Sequence, residues 1–190
     1  MFKKQLFRIV LFSWLFLIGS HTCFAYDVQK VAILPVLYSH DISINKDVEK
    51  IITNALVRKF HMPLSKIITF FEIIPEADVL AALPVQLQEK KKSKIDNNLL
   101  ADVGGKLNAD IVIAVEIKAY RSDLRMSWNG DRIRDTDLVM KIISYHRPSG
   151  KYTEEQDHEF YSGADIPWGQ PEYIADHMID RLLSKIPNYR

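Results

Sequence analysis

The chain has 190 residues, 47% of them hydrophobic, with 25 Lys and Arg against 24 Asp and Glu. That is enough apolar material for one packed core, and too even a charge for a nucleic-acid or anionic-lipid binder that works through a basic surface. Its single cysteine, Cys23, excludes an internal disulfide framework and cysteine-based metal clusters.

The N-terminus reads MFKKQLFRIVLFSWLFLIGSHTCFAYD. Lys3, Lys4 and Arg8 precede an apolar run over residues 9–18, and Cys23-Phe24-Ala25 offers small residues at the two positions that guide cleavage. This is the pattern of a secretory signal peptide, too short and wrongly flanked for a spanning helix. The expected organisation is a signal peptide over residues 1–25 and a single α/β domain over residues 26–190. No later segment is apolar enough to span a bilayer, so the mature chain is expected to be soluble and extracytoplasmic, in the periplasm or beyond. A lipoprotein signal needs Gly or Ala directly before the lipidated cysteine; here Thr22 precedes Cys23, so lipid anchoring is not expected. Without the leader's three basic residues, 22 Lys and Arg face 24 Asp and Glu, a net charge of about −2.

Residues 28–38, VQKVAILPVLY, form a short apolar run closed by Pro35, as in a strand buried on both faces. From Ser43 to Phe60 the period becomes helical: Val48, Ile51, Ile52, Ala55, Leu56 and Val57 share a stripe, with Ser43 or Asn45 available as N-cap. Pro63 closes that unit. KIITFFEII, residues 66–74, is a second β-rich run, and Pro75-Glu76 opens a short helix that Pro84 must end. The polar stretch EKKKSK, residues 89–94, reads as a solvated loop. Asp96 can cap the next helix, where Leu99, Leu100, Val103 and Leu107 share a face, and a third strand begins at Ile111. The order β-α-β-α-α-β implies parallel strands joined by helical crossovers.

Hairpin signals follow. Asn129-Gly130 suggests a two-residue turn, and Arg147-Pro148-Ser149-Gly150 a second one. The two-residue loop would set Trp128 opposite Asp131, Ile117 opposite Ile142 and Ala119 opposite Met140. Ile111, Ile113, Val115, Ile117 and Ala119 then share one apolar face with Leu138, Met140 and Ile142. Glu116, Lys118, Tyr120 and Lys141 make a wet one. Leu124, Met126, Trp128 and Ile133 also fall on the wet face. Either a bulge or twist returns them to the core, or an arm extends beyond it and offers an apolar patch to a partner. KYTEEQDHEFY, residues 151–161, has the charge a protected edge strand needs. Pro171 suits the first turn of a closing helix, whose buried stripe is Ile174, Met178, Ile179, Leu182 and Leu183. The fold class is therefore α/β (α+β): a mixed sheet with a parallel three-strand half and an antiparallel meander, helices packed mainly on one face.

No catalytic, cofactor or metal site is expected. Gly104-Gly105 sits late in a helix and before a strand, the reverse of a phosphate-cradling loop, so Gly104 is expected to allow close helix–sheet packing. Asp157 and Glu159 should point one way along a strand and His158 the other, so they cannot converge on one metal. His177 and Asp180 lack a second cluster. There is no Gly-x-Ser-x-Gly elbow and no Ser-x-x-Lys.

KVAILPV followed by a helix, an apolar strand ending at Ile74-Pro75, and the unit LADVGGKLNADIVIAVEI together resemble a set of bacterial envelope accessory domains. The set includes the N-terminal domain of the translocation protein TolB, the curli secretion lipoprotein CsgG and LpoB-type activators of penicillin-binding proteins; SYHRPSGK is also similar to a later strand and turn of theirs. The resemblance implies a non-enzymatic accessory or adaptor protein that binds another envelope protein or itself. It implies no cofactor and supplies no catalytic residues to transfer. Candidate partner-binding residues are Leu124, Met126, Trp128, Ile133 and Trp168, the last as able to lid the core as to anchor a partner. The alternative is a small-molecule-binding periplasmic protein with a pocket near Tyr38, His40 and Asp41, at the end of the first strand. An uncharacterised hydrolase is a further rival.

Overall fold

In a computed structural model, the residues described are 28–39, 42, 46–60, 71–88 and 95–186. The proposed signal peptide with Cys23, His40, Asp41, Ser43, Asn45, Pro63 and the polar run 89–94 lie outside them.

The strands are β1 (Gln29–Ile33), β2 (Leu37–Tyr38), β3 (Phe71–Ile73), β4 (Ile111–Met126), β5 (Arg132–His146) and β6 (Lys151–Ala164). They form one sheet in the order β3-β1-β4-β5-β6, with the short β2 also pairing with β4. β1 runs parallel to both β3 and β4, while β4–β5 and β5–β6 are antiparallel. The mixed sheet is thus as the sequence pattern predicts, and the β-α-β-α-α-β order holds apart from two additions. One is a four-residue helix after Pro84, over Val85–Gln88. The other is β2: after Pro35 interrupts β1, Leu37 and Tyr38 resume pairing alongside Glu116 and Ile117.

The two longest helices, α1 (Lys46–Phe60) and α5 (Pro171–Lys185), pack on the front face. Val48, Ile52, Ala55, Leu56 and Phe60 meet Ile174, Met178, Ile179, Leu182 and Leu183 over Val31, Ile33, Ile113, Val115, Met140 and Ile142. Val57, placed on the α1 stripe by its spacing, is instead exposed. The shorter α2 (Glu76–Ala82), α3 (Val85–Gln88) and α4 (Asn97–Leu107) cover the back face at its parallel end. There Val79, Leu83, Leu100 and Val103 close over Ala32, Val112, Ala114 and Ile143. The wet face expected for this side therefore begins only at Glu116, Lys118 and Lys141. The reason lies in the crossovers: the chain leaves β1 and β3 in opposite directions along the sheet, which puts the two connections on opposite faces.

Local signals explain how α4 meets β4. The Leu99 amide donates to Asp96 Oδ1 at 2.9 Å, the expected N-cap. Gly104 is buried, and a Cβ built there would lie 3.2 Å from Val112 Cγ2, so the helix backbone rests close on the strand. Asn108 ends the helix in the left-handed region at φ 49°. Asp110 then clamps the sheet, accepting the Lys30 amide on Oδ2 at 2.9 Å and an Arg147 Nη2 contact at 3.4 Å on Oδ1. The double glycine and Ala-Asp step are a joint between helix and sheet.

The hairpin register differs from the expectation. The loop holds three residues, Trp128-Asn129-Gly130, with Ser127 and Asp131 closing it: the Ser127 amide donates to the Asp131 carbonyl at 2.7 Å. Gly130 takes φ +84°, and the Ser127 hydroxyl accepts the Asn129 and Asp131 amides. The outer pairs are Met126↔Arg132 and Leu124↔Arg134, and the register shifts again between Ile117 and Ala119, where Lys118 is the extra residue of a β-bulge. Ile117 therefore faces Met140, not Ile142, and Ala119 faces Val139, not Met140. Ala119 leaves the core face and is exposed, and Tyr120, expected to be wet, turns in against the core.

The two glycines of the joint should respond oppositely to substitution. Gly105→Ala meets open space and should raise stability by about 0.5–1 kcal/mol through helix propensity. Gly104→Val should lower it by about 1–3 kcal/mol, because the added methyls press on Val112. Urea unfolding of both variants checks the pair.

Candidate functional site: the three-stranded arm and the strand-end cleft

β4, β5 and β6 continue past the point where β1, β2 and β3 stop, forming a three-stranded arm. Its root is fixed around the bulge. Glu116 accepts Lys118 Nζ at 2.6 Å and the Ser39 hydroxyl at 2.9 Å, and Lys141 Nζ lies 3.6 Å away. Lys141 also reaches Glu154 of β6 at 2.5 Å. Burial opposes ionisation of Glu116, but the bonds from Lys118 and Ser39 and the charge of Lys141 outweigh it and hold the carboxyl below its ordinary range.

Beyond the bulge, even-numbered residues of β4 face the front, the side of α1 and α5. Helix cover ends a few rungs out. The Thr136 hydroxyl, fully buried, donates to the Gly169 carbonyl at 2.8 Å, and the Tyr161 hydroxyl donates to the Ala164 carbonyl at 2.6 Å. Gly169 is held so close to Tyr161 that a Cβ there would sit 2.1 Å from its ring. These contacts set where the β6–α5 connection crosses the sheet. Past it, Leu124 is 45% and Met126 65% exposed, and Trp128 at the tip is fully exposed.

The bulge that could have returned these residues to the core does reverse their face, yet no helix extends far enough to cover them. Ile133 does not join them. It pairs with Arg125, so it lies on the back face and is half-buried. Its separation from Leu124 and Met126 follows from the three-residue loop.

The back of the arm is mostly polar, although it also carries Phe160 of β6, opposite Asp137 and 64% exposed. Arg125 bonds Asp135 at 2.6 Å, Asp135 accepts the Ser162 hydroxyl at 2.6 Å, Arg121 pairs with Asp123, and His158 Nε2 lies 2.8 Å from Asp137. The bonds from Arg125 and Ser162 hold the Asp135 carboxyl below its ordinary range. Asp157 and Glu159 project to the other face, where both meet Arg181 of α5. The predicted divergence of Asp157-His158-Glu159 is what the strand shows. The His177 ring packs at a tilt against Tyr173, centroids 4.3 Å apart, and Asp180 pairs with Lys59 at 2.6 Å. Trp168 lies in a 3-10 turn, Pro167–Gly169, 58% exposed and edge-on to Tyr173 at 5.3 Å. It therefore does not lid the core.

At the other candidate, Tyr38 is half-buried and its hydroxyl bonds Glu49; His40 and Asp41 lie outside the described residues. Burial, then the Glu49 bond and charge, push the phenol well above its ordinary range. Glu49 in turn lines a cleft of about 290 Å³ at the carboxyl ends of β1 and β3. Among the described residues no group of three or more His, Cys, Asp or Glu could hold a metal ion. No helix of the described residues is long and apolar enough to cross a membrane.

No family model and no curated protein matches the chain. Among solved structures it is similar to lipoprotein GNA1162 from Neisseria meningitidis, at 11% identity over 83% of this chain and 99% of that one, TM-score 0.49. It is also similar to the hypothetical protein CT253 from Chlamydia trachomatis, at 16% identity over 85% and 97%, TM-score 0.45. A third is the LpoB C-terminal domain from Salmonella enterica, at 10% identity over 70% and 82%, TM-score 0.42.

The network at the bulge carries a pH dependence. A carboxyl whose pKa is lowered by folding stabilises the fold above its unfolded pKa and loses that contribution as pH falls through the folded value. Stability should therefore fall in acid, and Glu116→Gln should flatten that slope while lowering stability at neutral pH. Urea unfolding of both proteins at several pH values below neutrality measures the difference.

Proposed function

We propose that the chain is a non-enzymatic accessory domain of the bacterial cell envelope, secreted across the inner membrane, that acts by binding another protein through its arm. The observation that carries the reading is the bare front of the arm tip. Leu124, Met126 and Trp128 are large, apolar and exposed together, next to a back face whose charges are paired. A solvated ribbon does not need three such side chains at one end, whereas a protein interface does, because aromatic and methionine side chains carry much of the energy of such contacts. Trp168, at the start of α5 on the same face of the sheet, is a second anchor of the same chemistry.

The sequence resemblance to the TolB N-terminal domain, CsgG and the LpoB-type activators supports an envelope role, and the N-terminal leader pattern supports export to the periplasm. The occupant of the arm is another envelope protein or a second copy of this chain; no nucleic-acid partner is proposed.

Crosslinking in intact envelopes, beside light scattering of the purified protein, tests the reading with a Met126→Ser, Trp128→Ser double variant. The wild type should give a discrete crosslinked species or a defined oligomer. The variant should weaken it by about ten-fold or more with an unchanged melting temperature, since neither side chain supports the core. An identical crosslinking pattern and oligomeric state in both proteins would remove the arm as the contact surface.

A further inference from the structure

We infer that the cleft at the carboxyl ends of β1 and β3 is a binding site for a small organic cation, an alkylammonium with a short hydrocarbon body. The inference is independent of the arm and of any protein partner there.

The position comes from the topology. The chain leaves β1 for α1 on the front face and leaves β3 for α2 on the back face, so the two connections diverge and open a crevice between them. Sheets with helices on both faces take their ligands outside the strand ends at such a point. The cleft is bounded by the segment after β1, with Leu34, Pro35 and Val36, by α1, and by the start of α2. Its volume of about 290 Å³ is at the lower end of ordinary ligand sites and equals roughly ten waters.

The lining specifies the chemistry. Ile33, Leu34, Pro35, Val36, Val57, Ile73 and Leu80 give apolar walls, which favour a hydrocarbon body. The polar side chains on the lining are Glu49, Thr53 and Glu76, and no lysine, arginine or histidine is among the lining residues described. Two carboxylates and a hydroxyl oxygen beside apolar walls complement an ammonium group on a hydrocarbon chain and repel a carboxylate or phosphate. The hydroxyl of Thr53 is already committed as donor to the Glu49 carbonyl at 3.1 Å, so towards a ligand Thr53 offers an oxygen that accepts. Glu49 is held by the Tyr38 hydroxyl, which fixes its carboxylate at the cleft wall. Tyr38 is thus a positioning residue for Glu49, while Glu76, exposed at the first turn of α2, supplies the second charge from the opposite wall.

The test is a ¹H–¹⁵N titration of the mature chain with hexylammonium chloride, and in parallel with sodium hexanoate and 1-hexanol. Hexylammonium should shift the amides of Glu49, Thr53, Ile73 and Glu76 saturably, with hexanoate producing no saturable change and hexanol binding about ten-fold more weakly. Glu76→Gln, at an exposed position outside the core, should weaken hexylammonium about ten-fold and leave hexanol unchanged. Equal shifts from all three probes would show an apolar dimple without charge selection and overturn the inference. Absence of saturation by hexylammonium, or saturation indifferent to Glu76→Gln, would overturn it as well.

Discussion

A strand can present a residue to only two faces, and one extra residue exchanges them. Lys118 is that residue in β4. Before it, Ile113, Val115 and Ile117 face α1 and α5; after it, Tyr120 does, and Leu124 points to the same side beyond their reach. A regular strand would carry Arg121, Asp123 and Arg125 around to the helix side and leave Tyr120 in water. The exchange is confined to β4, because the β5–β6 ladder runs without a shift from His146↔Lys151 to Ile133↔Ala164. It falls where the parallel neighbour ends: β2 gives out at Tyr38, opposite Ile117, and the next residue of β4 is the one left over. Glu116 ties the two events together through Ser39 on one side and Lys118 on the other.

The faces of the arm beyond the bulge have been solved differently. On the back, acid and base alternate along and across the strands, each meeting an opposite charge or a hydroxyl. Pairs this exposed contribute little to stability, but they make a surface that is content in water. On the front, Thr136 and Tyr161 secure the crossing of the chain into α5, and the helix runs back over the core from there. Arg134 and Arg132 share Asp165 at the margin of the cover. These two arginines lie directly across from Leu124 and Met126 on this face, yet both turn to Asp165, and Leu124 and Met126 stay exposed.

This contrast also explains which parts of the fold were legible in the sequence. Side-chain direction depends on register only through its parity. A register one residue pair wrong but of equal parity still puts Ile113, Val115 and Ile117 beside Met140 and Ile142, which is why the front core could be read despite incorrect partners. The outer register has the opposite parity, so the sequence pattern groups Ile133 with side chains whose face it does not share. Asn129-Gly130 fits loops of two or three residues, and the choice is made by the Ser127 hydroxyl accepting two loop amides, an interaction that composition does not reveal. The cap at Asp96, the packing glycine at Gly104 and the divergence around His158 were legible because each depends on neighbours a few residues away. The cover on both faces was not, since it depends on where two crossovers land. Of the candidate ligand site, Tyr38 could be placed at a strand end; Glu49 and Glu76, which line the cleft, come from helices on opposite sides of the sheet and share no sequence pattern.

Both candidate surfaces arise from unequal strand lengths in a single sheet. β1 ends at Ile33 and β3 at Ile73, and the register sets Ile33 beside Ile113. β4 continues in the same direction to Met126, a span of roughly 40 Å at the rise of an extended strand. Where the parallel strands stop, their connections part and leave a cleft with apolar walls and two carboxylates. Where β4 goes on with β5 and β6, the helices that cover the core no longer reach, and the apolar residues brought to the front by the bulge remain in water. Lengthening β1 and β3 would fill the first surface, and extending the cover of α5 outward would bury the second. The short parallel strands and the early crossing into α5 therefore each leave a surface that the core itself does not need.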